Sequence, residues 1–201
     1  MKTVYLVLVI LIASTSALQS QNYTEIFQGG WGQGIRHSKP AVADLDGNGL
    51  MDLIIGNYHG YLLHYEQSAA GSFDFDLVSP RFCDLDIGAQ SAPCFLDMDH
   101  DGLLDMVVGN VGGMLRHFEQ QTEGSTVFIR QSDSLSHIVT ARFPAPFFID
   151  LDDDNLFDLL IGDEDGILHH YEQQTTVSSE FDLLTSNFNG IDERYKTVPF
   201  V

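Results

Sequence analysis

Oxygen-bearing side chains stand at positions 1, 3, 5 and 9 of a short acidic stretch that occurs three times in the chain. They are Asp44, Asp46, Asn48 and Asp52 in the first, Asp97, Asp99, Asp101 and Asp105 in the second, and Asp150, Asp152, Asp154 and Asp158 in the third. Hard oxygens at alternate positions of a tight loop wrap a Ca²⁺ ion, and the backbone carbonyl at position 7, from Leu50, Leu103 or Leu156, adds another ligand. Mg²⁺ suits such a loop less well, because it insists on octahedral geometry and keeps its waters. Position 6 must turn sharply, and it holds Gly49, Gly102 and Asn155, the residue types best suited to a left-handed backbone. Asp and Asn also make simple turns, but a turn needs one or two of them, not four at fixed spacing three times over. The eleven carboxylates at these positions would repel one another strongly without cations. About three Ca²⁺ ions are therefore expected, one per loop. An EF-hand is excluded, since it needs a bidentate Glu at position 12 and flanking helices; position 12 here is Ile55, Val108 and Ile161.

The elements that hold these loops recur with them. Pro40, Pro93 and Pro146 each lead into a loop, and the offset is 53 residues both times, without a gap. It persists through Gly60, Gly113 and Gly166, and through the runs that begin at His64, His117 and His170. The expected organisation is a signal peptide over 1–17, a leading strand and linker over 18–39, repeats over 40–92, 93–145 and 146–198, and the start of a fourth repeat at 199–201. Thr24 to Phe27 would supply the leading strand. Inside a unit, the short runs before each loop, the apolar runs such as Leu53 to Ile55, the stretch Tyr61 to Gln67 and the stretch Phe73 to Val78 read as four strands. No segment has a convincing helical period. Four short strands per ~50-residue unit is the arithmetic of a β-propeller blade. The fold class expected is all-β, with three complete four-stranded blades forming an open arc, because four to eight blades close a ring.

With these residues in view, the units resemble FG-GAP/VCBS-type repeats, a class that includes integrin α-chain propellers and many secreted proteins. The resemblance covers Pro40 to Gln173 and rests on the Asp-x-Asp-x-(Asp/Asn)-Gly-x-x-Asp loops and the Gly-Asn-x-x-Gly turns before an aromatic strand. It implies that each loop joins the first two strands of a blade and binds Ca²⁺. The literal Phe-Gly and Gly-Ala-Pro pairs are missing, so the VCBS-type branch is the nearer likeness. Asn155 departs from the glycine of the pattern.

Charge and leader narrow the setting. Lys+Arg total 9 against Asp+Glu 29, a formal net charge of −20 that repels phosphate and excludes nucleic acid as a partner. Met1-Lys2, the apolar run Val4 to Ala13 and the small residues Thr15-Ser16-Ala17 read as a cleaved signal peptide, too short an apolar run for a ~20-residue membrane span. The mature chain is expected to be secreted, without a membrane span. Asn22-Tyr23-Thr24 is an N-glycosylation sequon, of use where the host glycosylates. Cys83 and Cys94, with ten residues between them, are either two buried thiols or, as export favours, a disulfide.

Other candidates have plainer readings. His64, His117 and His170 could form a ring of metal ligands, but recurrence in register favours repeated packing between blades. Tyr65, Phe118 and Tyr171 read as core, and Glu66 as a surface residue. Trp31, in a glycine-rich stretch, could stack on a sugar, though a connecting loop explains it. Arg36 and Arg142, equivalent in the linkers, read as a solvated face. No catalytic signature is present, so no enzyme is expected. The function expected is a calcium-binding scaffold for extracellular recognition or adhesion, with an extracellular protein or glycan as partner. The alternatives are a carbohydrate-binding lectin or the non-catalytic part of a polysaccharide-active enzyme. An open arc also favours self-association or pairing with further repeats.

Overall fold

The short apolar runs of each unit are β-strands in the computed structural model, which describes residues 38–85, 87–191 and 199. The first unit holds β1 (Lys39–Ala43), β2 (Asp52–Gly56), β3 (Leu62–Gln67) and β4 (Phe75–Ser79). The second holds β5 (Ala92–Leu96), β6 (Asp105–Gly109), β7 (Leu115–Gln120) and β8 (Phe128–Ser132). The third holds β9 (Ala145–Ile149), β10 (Asp158–Gly162), β11 (Leu168–Gln173) and β12 (Phe181–Thr185). Each set forms one antiparallel sheet with its strands side by side in chain order. Three four-stranded blades result, as expected, and the only helices among the described residues are single 3₁₀ turns at 82–84, 135–137 and 188–190. The expected leading strand, the leader and the sequon lie outside the described residues, as do Trp31 and Arg36.

Blades stack face to face through two apolar clusters. Leu45, Ile54, Leu62 and Phe82 of the first unit meet Met106, Val108, Phe118 and Phe128 of the second. Met98, Val107, Leu115, Leu135 and Ile138 of the second meet Leu159, Ile161 and Phe181 of the third. Val107 faces one neighbour while Met106 and Val108 face the other, the alternation that a pleated strand imposes. That is why β6 is buried along its whole length and reads as a continuous apolar run.

Glycine allows the linkers to press onto the blades. A Cβ on Gly109 would lie 2.0 Å from the carbonyl oxygen of Pro144, and one on Gly56 would lie 2.1 Å from that of Ser91. Polar clamps also join neighbouring blades. Gln120 Nε2 donates to the Leu45 carbonyl at 2.7 Å, and Gln173 Nε2 to the Met98 carbonyl at 2.8 Å. Each glutamine thus holds position 2 of the preceding unit's acidic loop.

The cysteines correct the expected disulfide: both are free thiols. Cys83 Sγ donates to the Thr126 carbonyl across the first blade interface. Phe95 packs into that same interface. Its neighbour Cys94 therefore points to the opposite face of β5, against the Phe148 backbone of the third blade. Two thiols on opposite sides of one sheet cannot meet.

Candidate metal centre

Each acidic loop leaves the first strand of its blade and returns into the second, so the carboxylate at position 9 is also the first residue of β2, β6 or β10. The loop winds around its own side chains. Asp44 accepts from the Gly47 and Gly49 amides at 2.9 and 3.0 Å, Asp97 from Gly102 at 3.2 Å, and Asp150 from Asp154 and Asn155 at 3.2 and 3.0 Å. The position 5 side chains, Asn48, Asp101 and Asp154, each accept from the amide at position 7, that of Leu50, Leu103 or Leu156, at 2.7 to 2.8 Å. Position 6 is left-handed in all three, with φ of +85° at Gly49, +92° at Gly102 and +70° at Asn155. Asn155 takes this conformation as its residue type allows.

This winding gathers acidic oxygens. Asp44, Asp46 and Asp52, then Asp97, Asp99 and Asp101, then Asp150, Asp152 and Asp158 each offer oxygens within 4.8 Å of one another. Like charges that close cost on the order of 3–4 kcal/mol per pair at an effective dielectric of ~20, less where water reaches them. A cation is the natural counterweight. Asp105 and Asp154 stand beside these triplets in their loops, and Asn48 is held between the Leu50 amide and Glu66.

One oxygen tests whether a metal fits. Asp97 Oδ1 is buried and accepts no hydrogen bond, beside Asp99 and Asp101. Burial pushes the Asp97 carboxyl up from its ordinary range, the Gly102 amide and His100 oppose that, and Asp101 and Asp105 add to it. A buried carboxylate oxygen without a donor is costly, and a bound cation removes the cost. The donor set, all hard oxygen, fits such an ion.

The three histidines take a role that the sequence reading missed. His64, His117 and His170 each donate from Nε2 to Asp52, Asp105 and Asp158, at 2.5 Å in every blade. The other oxygen of each aspartate accepts the position 2 amide, from Leu45, Met98 or Leu151, at 2.7 to 2.8 Å. Asp52 and Asp105 are 3% exposed and Asp158 6%, so these buried carboxylates are satisfied on both oxygens and fixed in orientation. A bulge follows each histidine, between His64 and Tyr65, His117 and Phe118, and His170 and Tyr171, where it re-aims the strand. Packing is part of the picture, since His64 stands edge-on to Phe82 and His170 to Phe188. The histidines do not form a ring of ligands; each props one loop. Equal spacing of 12 residues between each Asp and its His was the available signal.

The glutamates correct a second expectation. Glu66, Glu119 and Glu172 lie directly across the ladder from Asp52, Asp105 and Asp158. Glu66 accepts from the Asn48 side-chain Nδ2 at 2.7 Å, so it belongs to the loop's surroundings rather than to a bare surface. Burial pushes the Glu119 carboxyl up, with Asp105, Asp101 and Asp99 adding to the shift. A shallow groove of ≈ 330 Å³ opens here, lined by Asp99, Asp105, His117, Glu119 and Gln131 among others. Elsewhere, Arg142 lies 3.7 Å from Glu164 and over the Phe143 ring, a surface contact as expected. Tyr65 and Phe118 are buried in the core, and Tyr171 packs against it.

No curated protein matches the chain. The profile of the FG-GAP-like repeat matches twice, over residues 44–108 and 97–161, each match running from the start of one acidic loop through the second strand of the next blade. Together these matches span more than half of the 201 residues. With its loops, strand order and repeat length all in that register, the chain belongs to the FG-GAP-like repeat family.

Proposed function

We propose that this chain is a secreted, calcium-stabilised propeller-repeat scaffold for extracellular recognition or adhesion, with no catalytic step of its own. The observation that carries the calcium reading is the orphaned Asp97 Oδ1 inside a carboxylate cluster that recurs in all three blades. Asp44, Asp46, Asn48 and Asp52, with the Leu50 carbonyl, would hold the first ion. Asp97, Asp99, Asp101, Asp105 and the Leu103 carbonyl would hold the second, and Asp150, Asp152, Asp154, Asp158 and the Leu156 carbonyl the third. Bound Ca²⁺ supplies charge neutralisation where each loop closes. The protein's own groups do the rest: the histidines fix the position 9 carboxylates, and the glutamines tie two loops to the next blade.

Secretion rests on the leader in the sequence and on the setting usual for repeats of this kind. Among the described residues no helix is long and apolar enough to cross a membrane. The partner would be an extracellular protein or glycan. The groove beside the second loop favours a lectin as the second reading, because its carboxylates, Gln131, Ser132 and Ser179 can bond sugar hydroxyls. Equilibrium dialysis with Ca²⁺ tests the main reading, with about three ions per chain expected. A stoichiometry of zero at millimolar Ca²⁺ overturns it, and a glycan array decides the lectin.

A further inference from the structure

The first and third blades each carry a face that the described residues leave without the partner its equivalents have. On the first blade, Leu53 and Ile55 are half-buried, whereas Met106, Val108, Leu159 and Ile161, their equivalents, are 0% exposed. Val42 and Met51 on the same side are 55% and 41% exposed. On the third blade, Leu151 is 46% exposed, whereas its equivalents Leu45 and Met98 are 1%. Phe188 is likewise half-buried where Phe82 and Leu135 are buried.

These two faces are complementary by construction. The face of the first blade corresponds to the one with which the second and third blades dock onto a predecessor. The face of the third blade corresponds to the one with which the first and second receive a successor. The polar clamps fall in step. Gln120 and Gln173 reach the loop of the preceding blade, while Gln67 Nε2 donates only to Ser72 among the described residues. Nor does any described donor meet the carbonyl of Leu151, the counterpart of Leu45 and Met98. Ser136 bonds the first residue of the fourth strand of the next blade and Cys83 the residue two before it, both from a left-handed backbone, and Asn189 repeats that backbone at φ +53°.

We infer that a second copy of this chain docks head to tail on these faces, the first blade of each copy against the third blade of the other, to close a ring of six blades. Six lies within the four to eight blades that close a propeller. The contact is heterologous, one face against a different one, so a ring of two copies satisfies both ends of both chains. Gln67 of the second copy then clamps the Leu151 carbonyl, and Asn189 meets the fourth strand at Phe75. Only when that copy arrives does the third acidic loop gain the glutamine clamp that the other two have. This inference goes beyond the calcium reading and rests on the blade stacking alone.

Sedimentation of the full chain in Ca²⁺, with the bound ion counted on the same samples, tests it. Expected is a species of two chains. Val42→Lys and Leu151→Gln each place a polar group in the contact and should each weaken association by roughly tenfold or more, with unchanged circular dichroism. A monomer whose ends are protected from protease overturns the proposal, because the chain's own termini then cover the faces. An open series of sizes overturns closure, and a dimer sensitive to only one substitution overturns the head-to-tail arrangement. A dimer that binds no Ca²⁺ leaves this inference standing and defeats the calcium reading.

Discussion

His117 is held by one hydrogen bond whose loss would be felt in two places. Its Nε2 donates to Asp105 at 2.5 Å, and both side chains are at least nine-tenths buried. His117→Ala orphans one oxygen of that carboxylate, at about 1–3 kcal/mol of stability. It also frees a candidate ligand to reorient, which should weaken Ca²⁺ at the second loop by roughly 10–100-fold. Titration calorimetry on the variant reads the affinity and urea unfolding the stability; a loss of stability with affinity unchanged would reduce the histidine to packing. Cys94 gives a second residue-scale test. Burial pushes its thiol up to about 11 from 9.0, so the folded chain holds that proton more tightly than the unfolded one. Stability from this group is therefore full below pH ~9 and falls as pH rises toward ~11. At pH 8, half-buried native Cys94 with its raised pKa should alkylate more slowly than in the chain unfolded in denaturant; equal rates in both states would contradict the shift. At this scale the clustering of the loop aspartates was legible, because their types and spacing repeat. The roles of His64 and Glu66 were not, because cross-strand partners depend on a register that no local pattern displays.

Strands and loops were the most legible elements. Proline-led runs, apolar runs that end at glycine, and aromatic runs fell on the observed strands within two residues, since each is short and bounded by a breaker. What the sequence hid was how blades touch. The pair Gln120 and Leu45 are 75 residues apart, and nothing in either neighbourhood announces the other. Gln120→Ala should cost more than the ~1–3 kcal/mol of a single orphaned group, because the Leu45 carbonyl, the Leu104 amide and the Ser125 carbonyl all lose their partner. Urea unfolding measures it, and a change below ~1 kcal/mol would show the clamp to be idle. Gly109→Ala acts at the same interface. A methyl 2.0 Å from the Pro144 carbonyl must push the linker off the blade, at about 1–3 kcal/mol or more. The disulfide expected from spacing and compartment failed for a reason at this scale too: alternation along β5 sends Phe95 and Cys94 to opposite faces.

For the whole molecule, a net charge of −20 and a carboxylate cluster in each of three blades gather like charge that the proposed Ca²⁺ ions would neutralise. The three blades were legible in the repeat arithmetic itself, because each unit repeats at one offset. The wiring of the blade faces needed coordinates. If free Ca²⁺ is about tenfold above a loop's dissociation constant, each ion contributes roughly 1.4 kcal/mol. Three such loops give on the order of 4 kcal/mol, a large part of the ~5–15 kcal/mol that holds a domain together. For a chain of this size, that corresponds to a shift in melting temperature on the order of 10 °C. The direct measurement is thermal unfolding of the full chain in Ca²⁺ and again in excess chelator. If the loops hold Ca²⁺, the midpoint is lower by about that amount in chelator and is restored when Ca²⁺ is added back. An identical midpoint in both would contradict it.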